Sequence, residues 1–219
     1  MIIEISLAGF LFLFIIALNL LMVRLGNRLD LWDHGSDRKL QKITEDPKKY
    51  KLSVILGFIE HISVILLAIL LFIAFSSYNM FLGIIWITFR FAEGLGMIYN
   101  ETNDWKLINI AKQYSITTGA EQKMFRDQGQ TILQNKYFRF AIISIFFSIG
   151  TFSYSIVFVT FNLVPLAIGW LGIVASIVYG SGNAIKLVKP KHVVLIAIGG
   201  LLVGLFEAIL GGWFLLLQK

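Results

Sequence analysis

The chain has 219 residues, 57% of them hydrophobic and only 15% charged, with a mean hydropathy of +0.78. A soluble domain carries about 25% charged residues, so the composition indicates an integral membrane protein. There is no cysteine, which excludes a disulfide framework and a thiolate metal site, and the net charge of +6 lies between apolar segments, as in basic cytoplasmic loops rather than a nucleic-acid surface.

A helix needs roughly 20 apolar residues to cross the hydrocarbon core. Six stretches qualify, at about 2–24, 52–76, 80–99, 138–162, 165–186 and 192–216, predicting an all-α polytopic six-helix bundle that forms a single membrane domain. The first lacks a basic n-region and carries Glu4, so it is expected to be a retained helix rather than a cleavable signal. Asp46 is the candidate N-cap of the second, with Pro47 at the first helical position, where its missing N–H costs nothing. The links Ser76–Asn79 and Asn162–Val164 are short enough to make spans two/three and four/five antiparallel hairpins. Lys189-Pro190 separates the last two spans.

The segment between spans one and two holds Arg24, Arg28, Arg38, Lys39, Lys42, Lys48, Lys49 and Lys51. That between three and four holds Lys106, Lys112, Lys123, Arg126, Lys136 and Arg139, and the link between five and six holds Lys186, Lys189 and Lys191. The other side has only Lys219. The positive-inside rule makes these segments cytoplasmic and both termini external, in a multi-pass protein of the cell membrane. Trp86, Trp170 and Trp213 near the outer ends would form an interfacial aromatic belt.

The segments 25–46 and 102–136 carry apolar residues at helical spacing, including Leu29, Leu31, Trp32, Leu40 and Ile43 in the first and Leu107, Ile110, Ala111 and Tyr114 in the second. They are expected to be amphipathic helices at the anionic headgroups or extensions of the spans. A small cytoplasmic cap is the sharper alternative. Two small-residue ladders, Gly172/Ser176/Gly180/Ala184 and Gly200/Gly204/Ala208/Gly212, predict close packing inside the bundle, with an interface to a second copy or a partner subunit as the alternative. Spans 1–3 and 4–6 do not correspond, which weakens an inverted-repeat transporter.

Five ionisable residues fall inside spans: Glu60, His61, Arg90, Glu93 and Glu207. Each charge costs at least about 2.5–3.5 kcal/mol at mid-bilayer, so they are expected to face one another. At a rise of ~1.5 Å per residue Arg90 and Glu207 both lie roughly 15 Å from the outer ends, while Glu60 and Glu93 lie some 20–24 Å deep. This predicts an Arg90–Glu207 ion pair above a Glu60/His61/Glu93 cluster. A proton or cation between close carboxylates relieves their repulsion. Ion or small-molecule binding or translocation is therefore one reading, and a structural network of an accessory or sensor subunit the other.

Asp46-Pro47-x-x-Tyr50, the FRFAE of 89–93, the F-S-x-G-x-x-x-Y of 147–154, Pro165, the W-x-G of 170–172 and the ending FEAILGGWFLLLQK occur in one order across nearly the whole chain. In this the chain resembles the prokaryotic multi-pass membrane proteins grouped as domain of unknown function 4386. The resemblance implies a helical membrane protein in which Arg90, Glu93 and Glu207 match recurring charged motifs, and it implies no activity. No P-loop, GxSxG or HExxH motif occurs. Besides His61 the chain has only His34, in a loop, and His192, at a span boundary, too few for a multi-histidine zinc hydrolase or a bis-histidine haem site. No cofactor, metal site or catalytic residue is expected, and intramembrane hydrolysis is the weakest reading.

Overall fold

The computed structural model describes residues 2–25, 35–190 and 192–216. Arg28, Leu29, Leu31, Trp32, His34, Lys191 and Lys219 lie outside the described residues. Seven helices occur in the order α1 Ile2–Arg24, α2 Gly35–Glu45, α3 Pro47–Phe75, α4 Met80–Ile116, α5 Gly119–Thr160, α6 Leu166–Val188 and α7 Val194–Leu216, with no strand among the described residues. All but α2 are long and apolar enough to cross a membrane, and the protein is an all-helical multi-pass membrane bundle.

Local chemistry sets the helix ends. The Asp46 carboxylate accepts the Lys49 N–H at 2.9 Å, with Pro47 opening α3. Asn79 starts α4 in the same way, accepting the Leu82 N–H at 3.0 Å. In the α5–α6 turn Asn162 has φ +50°, a left-handed conformation that asparagine tolerates better than most side chains. The 42 residues of α5 reach about 63 Å at 1.5 Å per residue, twice a hydrocarbon core of about 30 Å. Much of the 102–136 segment thus continues α4 and α5 beyond the bilayer.

The six long helices form a closed ring in which α1 packs on α3, α3 on α4, α4 on α5, α5 on α6, α6 on α7, and α7 again on α1. Tight turns make the pairs α3/α4, α4/α5 and α5/α6 antiparallel. The end at which α1 finishes and α2 sits carries the lysine- and arginine-rich connections and is called the basic end. There α2 packs against α4 and α5. It does so through Leu40 and Ile43, both fully buried with Tyr50, Val54, Leu107, Ala111 and Leu133. The apolar face of α2 therefore meets protein rather than headgroups. Gln130 Oε1 accepts the Ser36 N–H at 3.0 Å, and Tyr114 donates to Asp37 at 3.1 Å, tying the first turn of α2 to α5 and α4.

The opposite end is packed solid. Phe75 lies 5.1 Å from Phe158 and 5.8 Å from Phe214, ring centre to ring centre, joining α3, α5 and α7. Phe12 of α1 meets the same Phe214 at 6.4 Å. Trp86 belongs to this core rather than to an interfacial belt: it is fully buried, edge-on to Phe72. Trp213 is also partly buried against the core, and of the three tryptophans only Trp170 is exposed.

The two small-residue ladders behave differently. On α6, a Cβ at Gly172 would stand 2.4 Å from Ser155 Oγ and one at Gly180 2.8 Å from Ser148 Cβ, so this stripe lets α5 and α6 approach closely. On α7, a Cβ at Gly204 or Gly212 would meet nothing within 4 Å, and Ala208 is exposed. The close approaches of α7 use a second glycine stripe. A Cβ at Gly199 would lie 2.6 Å from Tyr179 Cα, and one at Gly211 2.9 Å from Phe12 Cβ. Gly9 of α1 completes that seam, its Cβ position 2.8 Å from the Gly211 carbonyl oxygen. Gly211→Val should force α1 from α7 and cost about 1–3 kcal/mol, as overpacking does, whereas Gly212→Val should be nearly neutral. Thermal unfolding of both variants in one detergent checks the contrast.

Candidate functional site

The charged residues of α3 and α4 meet in the centre of the ring. Arg90 is only 2% exposed. Its guanidinium lies over the Phe147 ring at 4.8 Å, and Nη1 is 2.7 Å from Glu93 Oε2, one turn along the same helix. Glycine makes room for it, since a Cβ at Gly150 would sit 2.8 Å from Arg90 Cγ. The Glu93 contact is ionic but poorly aligned, and Arg90 Nε and Nη1 and Glu93 Oε2 have no hydrogen-bond partner.

The anticipated Arg90–Glu207 pair does not form. Matching depth places two residues in one layer, but the side chain three residues along α4 reaches the guanidinium first. Glu207 instead faces the same central cavity and makes no hydrogen bond or ion pair with the described residues. That cavity, about 350 Å³, is walled by Glu60, Glu93, Arg90 and Glu207 together with Phe140, Phe147, Tyr179 and aliphatic side chains of α1, α3 and α7. Three carboxylates thus stand against one guanidinium.

The second expected cluster divides. His61 turns towards Glu60 through Nδ1 and towards Glu101 through Nε2, 3.3 Å from Oε1, while Glu93 stays with Arg90. Asn19 of α1 donates to Glu60 Oε1 at 3.3 Å, tying the first helix to the cluster. A Cβ at Gly57 would come within 2.9 Å of Glu101 Cδ, so this glycine leaves space for the carboxylate. Glu101 escaped the sequence reading because the predicted span stops at residue 99. The overlooked signal is spacing: Glu93, Met97, Glu101 and Asp104 recur on one helical face.

Closer to the basic end Asp104, fully buried, accepts from the Tyr50 hydroxyl and the Lys136 ammonium, joining α3, α4 and α5 in one layer. Tyr50, Asp104 and Lys136 thus satisfy one another, as burial demands. Among the described residues no group of three or more His, Asp or Glu is placed to hold one metal ion. Asp104→Asn should cost about 3–5 kcal/mol because it leaves Lys136 buried without a counter-charge, and Asp104→Leu combined with Lys136→Leu should recover much of that loss. Denaturation of the single and double variants measures both.

No curated protein and no solved structure matches the chain. A family model described as domain of unknown function matches residues 7–217, nearly every residue from the first helix to the last. The match spans the entire ring, its central cavity and the α2 cap, and the chain belongs to that family, domain of unknown function 4386.

Proposed function

We propose that the bundle binds, and in the course of its cycle translocates, a small molecule carrying positive charge in its central cavity. The observation that carries this reading is Glu207. It lies near the middle of α7, faces a cavity of about 350 Å³ and has no ion-pair partner among the described residues. An ionised side chain at that depth costs about 2.5–3.5 kcal/mol, a cost that a bound cation offsets. Phe147 and Tyr179 add aromatic faces. The apolar walls and aromatic lining favour an organic ammonium over a bare ion.

Loop charge supports an orientation with the basic end in the cytoplasm and both termini outside, in a cell membrane whose anionic headgroups meet the lysines of the connections. The whole chain is read as one membrane domain, acting as a monomer, as a homo-oligomer or beside a partner subunit.

A second reading, a purely structural charge network, is favoured by His61 between Glu60 and Glu101 and by the Arg90–Glu93 contact. The two differ in what Glu207 does. Benzylammonium should bind the purified protein saturably, and Glu207→Gln should weaken that binding about 10- to 100-fold, the worth of one charge-assisted hydrogen bond, with the unfolding temperature retained. Calorimetric titration beside a melting curve reads both. Unchanged affinity, or a fold that collapses in Glu207→Gln, would overturn the binding role.

A further inference from the structure

The way into this cavity runs sideways. Towards one end the ring is filled by Phe12, Phe75, Phe158 and Phe214. Towards the basic end the Tyr50/Asp104/Lys136 layer lies under α2, with Leu40 and Ile43 fully buried. Of the residues that wall the cavity, those that are exposed all belong to α1 or α7: Asn19, Leu20 and Val23 on the first, Gly200 on the second. Leu20 is 62% exposed, on a flank that a membrane helix turns to lipid. Gly204 stands beside the opening, and a Cβ there would meet nothing within 4 Å. The seam between α1 and α7 is thus tight at Gly9 and Gly211 and parted from Asn19 and Gly204 towards the basic end. Gly200 and Gly204 lie about 9 and 15 Å along α7 from its start, within the depth of the hydrocarbon core.

We infer that the α1–α7 cleft is a lateral portal to the bilayer and that the ligand is an amphiphilic amine, its ammonium at Glu207 and its alkyl chain lying out through the cleft between Leu20 and Gly204. The inference deepens the cation-binding reading and rests on it. One feature of the cavity points to a ligand independently of the glycines: the Glu207 carboxylate faces it with no ion-pair partner among the described residues. Leu20, Val23 and Val203 give the chain an apolar bed, while the carboxylates repel an anionic lipid headgroup. A freely water-soluble cation has no need of an opening at this depth.

The protein in nanodiscs tests this with a series of probes: butyl-, octyl- and dodecylammonium, each displacing benzylammonium. Potency should rise at least about tenfold from butyl to dodecyl, since each buried methylene contributes severalfold. Gly204→Phe, which places a ring in the mouth, should abolish the rise, and Gly200→Phe serves as a second plug should the first disturb folding. Benzylammonium binding without a gain in chain length, or a gain that survives both plugs, would overturn the portal and leave the cavity reading standing. Absence of benzylammonium binding in the unaltered protein would overturn both.

Discussion

A guanidinium held inside an apolar bundle has to be answered by negative charge, and the arrangement of this protein follows from that demand at Arg90. The nearest answer is Glu93 on the same helix, at 2.7 Å. Intrahelical pairing turns both side chains towards the ring centre, between the α3 and α5 neighbours of α4. Phe147 covers the guanidinium from α5, and the missing Cβ of Gly150 lets that helix lie against its aliphatic stem. On the other flank Gly94 brings α3 close, where a Cβ would stand 2.5 Å from Ile65 Cγ1. Glycines therefore flank the charged stretch of α4 on both sides, because a long polar side chain needs its volume returned by its neighbours.

Polarity is graded along the bundle axis. The aromatic end carries no buried ion pair among the described residues and is filled by Phe75, Phe158 and Phe214. The middle holds charges that cannot all contact one another, and there the packing stops short and leaves a cavity. Next comes a layer in which Asp104, Lys136 and Tyr50 satisfy each other across three helices. Only beyond it does α2 seal the end with leucine and isoleucine. A network whose members are all paired rigidifies, whereas one with members left over has room for another partner. The first describes the Asp104 layer and the second describes Glu207.

Hydropathy made the six spans legible, and cap chemistry marked the start of α3 at Asp46-Pro47, because both depend on residues adjacent in sequence. That Arg90 and Glu93 share a face was also readable, since i,i+3 spacing fixes direction as well as distance. The Arg90–Glu207 pair was misread because depth constrains one coordinate only. The azimuth of each helix is set by packing, which one sequence does not carry. Glu101 fell outside the expected span because hydropathy ends where the lipid ends, while α4 continues to Ile116. The glycines of α7 were ambiguous for a related reason: two stripes, at 199/211 and 200/204/212, satisfy similar spacings, and the difference between them is visible only beside α1 and α6. Trp86 was assigned to the interface by its position near a span end, yet the face of α4 on which it lies is the buried one.

The site of the lateral opening has a topological cause. In the ring, α3 to α7 are joined in sequence by short connections, which hold each antiparallel pair at its end. The α1–α7 seam joins the first and last helices and has no such connection, so packing alone closes it. Packing is strong where Gly9 and Gly211 bring the backbones together and weak at Gly200 and Gly204, where α7 offers no side chain to span the gap. The seam is thus closed at one end by backbone contact and left apart at the other, where Gly204 faces open space. The hydrogen bond from Asn19 to Glu60 at that corner ties α1 to α3 rather than to α7. Through Glu60 that bond joins α1 to the Glu60–His61–Glu101 row, so at this corner α1 is anchored from the α3 side.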